Sequence, residues 1–296
     1  MQFNVQHFET LDSTNSAVKR AIEQGKPEGY AACALVQTQG YGRQGRMWQS
    51  PLGGMYMSFL LQPKNVNVQT LPTLSLAAGV AVRRAVANLV PAAAKSIQIK
   101  WPNDVVVVPH CQTQSASNLQ FQKLAGISVE LYRACVCLGV GINVFPHAEN
   151  TGKPACEQQG CTQKTVQKLC RATNANKNPS VKTQHNVKNT PAYMCKLGFA
   201  HENVSDEHKA IGAVAHATAA EIASAYEKWC KCGFNVFEKE FNAHSALNGK
   251  YVHIQNVAYN TFAQGCVRGV EPDGQLLLET EDGQLHRISS GEAHIV

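Results

Sequence analysis

The sequence is poor in charge and in aromatic residues, and it contains no long apolar run. Asp, Glu, Lys and Arg make up 16% of the 296 residues, and Phe, Trp and Tyr 7%. No stretch approaches about 18 uninterrupted apolar residues, so no membrane-spanning helix is expected. The start, MQFNVQHFETLDSTN, lacks both a basic segment and an apolar run and does not read as a signal peptide. No repeat of fixed period is present. Between Glu28 and Asp104 there is no acidic residue at all. What is there is enough apolar content, 44%, to bury a core, which excludes global disorder. The length fits one large domain, or a main domain with an appendage. Eleven cysteines are an odd, scattered set in a chain too long to need stapling. Reduced thiols and a cytoplasmic location are the expectation.

The net charge of +6 invites a nucleic-acid reading, but it is unevenly placed. From His147 to Ala200 there are eight basic residues and only Glu149 and Glu157 on the acidic side, which accounts for the whole excess. The stretch is rich in Asn, Gln, Thr and Lys, with Tyr193 and Phe199 as its only aromatics. It reads as a polar basic insertion over 146–205, outside the core. Either it is a solvated segment or it steers an acidic partner by long-range attraction.

Strand and helix signals alternate along the first half. Asp12-Ser13-Thr14-Asn15 offers N-cap chemistry for a short helix carrying Ala17, Val18, Ala21 and Ile22. Ala31–Val36 and Met55–Leu61 read as buried strands, the second after a Pro-Leu-Gly-Gly turn. Leu74–Val90 reads as an Ala/Val-rich helix ended by Pro91. Ile97–Lys100 and Val105–Val108 read as strands around Trp101-Pro102-Asn103-Asp104, and Leu124–Leu131 with Ala134–Val140 as a hairpin. After a polar loop before Lys123 and the basic stretch, Ser205 is placed to cap a long helix carrying Ile211, Val214, Ile222, Tyr226 and Trp229. From Gly249 the pattern changes to short strands separated by Asp273-Gly274 and Asp282-Gly283 turns, which suggests a small separate β-barrel. The expected division is 1–243 and 244–296.

Four segments carry chemistry. Gly40, Gly42 and Gly45 satisfy G-x-G-x-x-G after a strand. A dinucleotide fold needs a helix next and an acidic residue about 20 positions on, and neither is present. The loop offers instead flexible backbone with Arg43 and Arg46, which reads as a phosphate or acyl-phosphate clamp or as a solvated turn. Lys100-Trp101-Pro102-Asn103-Asp104 is a rigid connection, because Pro102 keeps Trp101 out of the helical region. It presents polar groups at one sheet edge, or simply packs a Trp. Lys123-Leu-Ala-Gly126-Ile-Ser-Val-Glu130 places one ammonium at the head of an apolar strand, facing a pocket or solvent. Gly139-Val-Gly141-Ile-Asn143 is a glycine-rich strand end whose Asn either recognises a polar group or only terminates the strand.

Read together and in this order, these segments resemble the catalytic domain of biotin protein ligases. The family pattern has Ser-Thr-Asn near the start, a Gly-Arg-Gly-Arg-x-Gly-Arg-x-Trp loop, Lys-Trp-Pro-Asn-Asp, Lys-x-x-Gly-Ile-x-x-Glu and Gly-x-Gly-x-Asn. Here these stand as Ser13-Thr14-Asn15, GYGRQGRMW ending at Trp48, KWPND, KLAGISVE and GVGINV. The resemblance covers about residues 8–146, resumes near 206, and extends more weakly into the C-terminal strands. It implies an α+β fold, a mixed β-sheet with flanking helices plus the small C-terminal β-barrel. It implies ATP, biotin and Mg²⁺ as reactants and cofactors, and no resident metal. By the resemblance, Ser13, Thr14, Asn15, Gln37, Gly40, Tyr41, Gly42, Arg43, Lys123 and Gly126 bind biotin. Arg43, Arg46, Trp48, Asn103, Asn143 and Lys123 contact ATP, with Trp48 near the adenine. Lys123, Arg43 and Asp104 are the implied catalytic groups. The sequence departs from the pattern at Tyr41, where the family usually has Arg.

The reaction implied is formation of biotinyl-5′-AMP, followed by transfer to a lysine of a biotin carboxyl carrier protein, as in acetyl-CoA carboxylase and other biotin-dependent carboxylases. A lipoate or octanoate ligase is the nearest alternative and needs a long apolar tunnel. A biotin-sensing transcriptional regulator needs an N-terminal helix-turn-helix, for which about a dozen residues before Ser13 leave no room. No DNA or membrane partner is expected, and a homodimer is left open. The spacings of Cys156, Cys161, Cys170 and Cys195 do not match a paired zinc pattern.

Overall fold

The computed structural model describes residues 1–64, 66–108, 121–147, 191–199 and 207–296. The polar loop before Lys123, most of the basic segment with Cys156, Cys161 and Cys170, and the Ser205 cap lie outside the described residues.

Seven strands form one mixed sheet: β1 (Asn4–Leu11), β2 (Tyr30–Gln37), β3 (Gly54–Leu61), β4 (Ile97–Lys100), β5 (Asp104–Val107), β6 (Gln122–Tyr132) and β7 (Cys135–Asn143). Their order is β1-β2-β3-β7-β6-β5-β4, with β1 and β2 parallel and the other neighbours antiparallel. Among the described residues four α-helices accompany them: α1 (Thr14–Glu23), α2 (Pro72–Leu89), α3 (Glu207–Cys232) and α4 (Asn235–Ala243). The β6–β7 turn is tight because Arg133 and Ala134 both adopt positive φ, +47° and +61°, which matches the twist of the flanking strands.

The two faces of the sheet are unequal. Met55, Met57, Phe59 and Leu61 of β3 and Val136, Leu138, Val140 and Ile142 of β7 enter the main core with α2 and α3. Alternate residues point the other way, as strand pleating requires. There Leu60, Cys135 and Cys137 pack under Ala17, Val18 and Ala21 of α1. Further along the same face the side chains become small: Ser58 on β3, Gly139 and Gly141 on β7, Gly126 and Ser128 on β6. Ser58 lies opposite Gly139, Gly139 opposite Ser128, and Gly141 opposite Gly126. A trough therefore runs over the centre of the sheet where bulk is missing.

The second sheet is antiparallel, with β8 (Tyr251–Gln255), β9 (Thr261–Val270), β10 (Leu276–Glu279), β11 (Leu285–Ile288) and β12 (Glu292–Ile295) in the order β11-β10-β9-β8-β12. Register shifts where β9 meets β8 and β10 bend it, and β11 and β12 remain edge strands, so the small barrel expected is left open. Gly274, at φ +83°, makes the expected Asp-Gly turn, and its carbonyl accepts a hydrogen bond from Trp101 Nε1 at 3.1 Å. That bond ties the Lys-Trp-Pro-Asn-Asp turn to the second sheet.

One sequence expectation needs correction. Residues 191–199, read as part of the polar insertion, join the core. Ala192 and Met194 are buried, the Ala192 N–H donates to Lys123 O at 2.9 Å, and the Cys195 N–H donates to Val144 O at 3.1 Å.

Candidate active site

The trough is a cavity of about 230 Å³. At one end its floor is a closed network of polar groups. The Thr14 N–H and hydroxyl both donate to Gln37 Oε1, at 2.8 and 3.1 Å. Gln37 Nε2 donates to Ser50 Oγ at 2.7 Å, which fixes which way the amide faces. The Ser58 hydroxyl lies 2.7 Å from Thr14 Oγ1 and 2.6 Å from Asn15 Oδ1. Asn15 Nδ2 donates to Ser128 Oγ at 3.1 Å and Glu130 Oε1 at 2.9 Å. Thr14, Asn15, Ser58 and Ser128 are all buried. Buried polar groups in such a network are costly to leave unmatched, so the floor is rigid and selective for a ligand of fixed hydrogen-bond pattern.

The middle of the trough has no side chains of its own. A Cβ at Gly126 or Gly141 would come within 2.8 Å of the Trp48 ring, and one at Gly139 within 2.4 Å of Asn15 Oδ1. Trp48 therefore lies on two opposed glycines, with Lys123 Nζ 5.1 Å from its ring centre. Among the described residues, Trp48 Nε1 is buried without a hydrogen-bond partner. Met47, Trp48 and Lys123 also wall an adjoining basin of about 260 Å³.

The other end is charged. Lys123 Nζ is 2.8 Å from Asp104 Oδ1, an ion pair without the alignment of a hydrogen bond. Arg43 Nη1 donates to Asn103 Oδ1 at 2.9 Å, and Asn103 Nδ2 donates in turn to Ile127 O at 2.9 Å. Asn103 thus connects the arginine loop to β6. Burial holds the Arg43 guanidinium pKa below its ordinary value, against the attraction of Glu292 and Asp104. Burial also lowers Lys100, opposed by Asp104 and reinforced by Lys123. Arg46 forms an ion pair with Glu292 of β12. That contact holds the Glu292 carboxyl below its ordinary range although burial pulls it upward. His294 lines the same end; burial and then Lys100 lower its pKa.

Thr14, Asn15, Gln37, Tyr41, Gly42, Arg43, Arg46, Trp48, Asn103, Asp104, Lys123 and Gly126 all line this cavity. Three candidate residues do not. Ser13 is buried at the start of α1. Gly40 supports the loop, since a Cβ there would lie 2.4 Å from Ser50 Oγ and 2.7 Å from Trp48 O. Asn143 faces the adjoining basin and donates to Lys123 O at 3.0 Å. Sequence reasoning missed Ser58 and Ser128, which sit inside apolar strands. It also missed Glu292 and His294 from the second sheet. The alternation of Gly126, Ser128 and Glu130 along β6 was the available signal for one small, polar face.

The geometry agrees with the comparisons. Residues 7–143, which build the trough, match the model of the biotin/lipoate A/B protein ligase family. Residues 256–295, which supply Glu292 and His294, match that of the biotin protein ligase C terminal domain. It is 33% identical over 144 residues to the bifunctional ligase/repressor BirA of Bacillus subtilis, covering 47% of this chain and 39% of that protein. It is 37% identical over 145 residues to the biotin–[acetyl-CoA-carboxylase] ligase of Mycobacterium tuberculosis, covering 48% of this chain and 50% of that one. The matched region thus spans half or less of these curated relatives. In fold, the chain is similar to the biotin protein ligase of Aquifex aeolicus solved in complex with biotin and ATP. The TM-score is 0.67 at 24% identity, with 99% and 98% of the two chains covered.

Proposed function

We propose that this chain is an ATP-dependent biotin–protein ligase, which activates biotin as biotinyl-5′-AMP and transfers it to a lysine of a biotin carboxyl carrier protein in the cytoplasm. The observation that carries the reading is one trough with a neutral polar floor at one end and a cluster of cations at the other, joined across the backbone of Gly126 and Gly141, on which Trp48 lies. The bicyclic urea of biotin needs fixed donors and acceptors, which Thr14, Gln37, Asn15 and Ser58 offer. Its carboxylate and the α-phosphate of ATP are both anions, and Arg43, Arg46, Lys100 and Lys123 surround the far end.

The chemistry follows from the charges. Carboxylate and phosphate repel, so attack on the α-phosphate with loss of pyrophosphate requires cations fixed where charge accumulates. Lys123 and Arg43 meet that need, each held by a partner, Asp104 and Asn103. Among the described residues, no group of three His, Cys, Asp or Glu side chains converges on a metal position. Magnesium would therefore enter with ATP, because it takes most of its oxygens from phosphates and water and needs only one or two carboxylates. Asp104, whose buried Oδ1 has no aligned donor, fits that demand. The mixed anhydride hydrolyses readily, and the loop from Gly40 to Arg46 would keep water from it. In the second step the carrier lysine amine attacks the biotinyl carbonyl, the amide bond forms and AMP leaves. Asp104 would orient the incoming ammonium and take up its proton. Trp48 and Asn143 flank the adjoining basin, which would receive the nucleotide.

A lipoate or octanoate ligase needs a long apolar channel, and the saturated polar floor opposes it. The deciding experiment is ATP–pyrophosphate exchange by the purified protein with biotin and, separately, with lipoate. Exchange dependent on biotin is expected. Exchange with lipoate alone, or none with either, would overturn the reading.

A further inference from the structure

The loop over the trough, residues 40–48, is a small hairpin closed by Trp48 N–H to Gly40 O at 2.9 Å and Gly42 N–H to Arg46 O at 2.8 Å. Three side chains tether it to the body. Arg43 reaches Asn103, Arg46 reaches Glu292, and the Tyr41 hydroxyl accepts a hydrogen bond from Lys19 Nζ at 3.0 Å. The first two tethers use the cations that an anionic ligand would claim. The third does not.

Lys19 of α1 is half-buried and is not free. It forms an ion pair with Glu130 Oε2 at 2.6 Å, and its ammonium lies 5.4 Å from the centre of the Tyr41 ring. Glu130 Oε1 accepts from Asn15 in the floor. A charged chain thus runs from Tyr41 through Lys19 and Glu130 to Asn15. Charge-assisted bonds of this kind are stronger than neutral ones, and the ring adds a cation–π contact. Burial works against the Lys19 ammonium, yet its bonds to Glu130 and Tyr41 raise its pKa, so the donor is charged throughout the working pH range.

We propose that Tyr41 is a positioning residue which holds the glycine loop over the trough before any ligand arrives, and keeps holding it after Arg43 and Arg46 have been taken over by substrate. It acts through Lys19 and Glu130. An Arg at this position would put a second cation beside Lys19 and could not accept its hydrogen bond. Tyr is thus matched to Lys19, and the pair supplies closure that ligand binding would otherwise have to supply.

The test has two arms, because the catalytic arm rests on the ligase reading and the other does not. In the ligand-free protein, digestion with an arginine-specific protease reports opening of the loop through cleavage after Arg43 and Arg46. Cleavage after Arg133, at the exposed β6–β7 turn, is the internal control. Tyr41→Phe keeps the ring and removes the acceptor; Lys19→Met keeps the stem and removes the donor. Each should speed cleavage after Arg43 and Arg46 about tenfold with cleavage after Arg133 unchanged, and the double variant should be no faster than either single one. In the second arm, preformed biotinyl-5′-AMP should dissociate about tenfold faster from both variants, with the KM for ATP unchanged. Wild-type cleavage rates in both single variants, or additive rates in the double variant, would overturn the proposal. If wild-type protein forms no adenylate, the ligase reading fails while the cleavage arm still decides the role of Tyr41.

Discussion

At one end of the trough, Thr14, Asn15, Gln37, Ser58 and Ser128 satisfy one another at distances of 2.6–3.1 Å. At the other, Arg43, Arg46, Lys100 and Lys123 share the space, among the described residues, with only Asp104 and Glu292 as carboxylate partners. The first end is neutral and held in fixed orientation by its own hydrogen bonds; the second is left with excess positive charge. A fixed neutral network rewards a ligand of one particular hydrogen-bond pattern, because its remaining lone pairs and donors cannot turn to suit another. A charged cluster rewards any anion of suitable position, and does so most strongly as anionic charge builds. On the proposed reading, recognition and chemistry fall at different ends, and variants should separate them.

The largest effect is expected at the charged end. Lys123→Ala removes the ammonium and strands Asp104 without its partner. Biotin-dependent pyrophosphate exchange should fall by about 100- to 1,000-fold, while circular dichroism and the melting temperature report an intact fold. Normal exchange would erase the assignment of chemistry to this end. At the neutral end, Thr14→Val keeps the shape but removes one hydroxyl from the floor. The KM for biotin should rise about tenfold, as expected for about 1.4 kcal/mol of lost matching, with the KM for ATP unchanged. A rise in both constants would show that the two ends are not separable.

The smallest effect concerns the link between the sheets. The folded-state pKa of Glu292 lies below its ordinary value of 4.5, because of Arg46. Its ion pair therefore adds stability that is fully present above that ordinary value and is lost as pH falls through the lowered one. Glu292→Gln should lower the melting temperature by no more than about 3 °C near neutral pH, consistent with a partly exposed pair worth under about 1 kcal/mol. The difference from wild type should vanish in strong acid. A difference that grows as pH falls would show that Glu292 is not stabilising as a carboxylate.

Much of the site was legible because its residues fall in short continuous motifs. Arg43, Trp48, Asn103, Asp104, Lys123 and Gly126 sit where loop and strand ends place them, and all meet in one cavity. Ser58 was hidden because MYMSFLL reads as a uniform apolar run, whereas the two faces of that strand serve different purposes. β1 escaped notice because NVQHFETL is a polar edge strand with little burial on either face. Met194 was misplaced because it follows a basic, polar segment although it ends in the core. Glu292 and His294 were out of reach for another reason: nothing local marks a residue that acts on Arg46 from 246 positions away.

That last separation has a consequence for the order in which the protein is made. The sheet that carries both the floor and Lys123 is complete in sequence by Asn143. The wall formed by Glu292 and His294 emerges from the ribosome roughly 150 residues later. Until then the trough has its glycines, its floor and its cations but stands open on one side, and Arg46 lacks its carboxylate. A nascent chain could thus hold a formed sheet well before it holds a finished pocket, and activity should be acquired only as the last strand is synthesised.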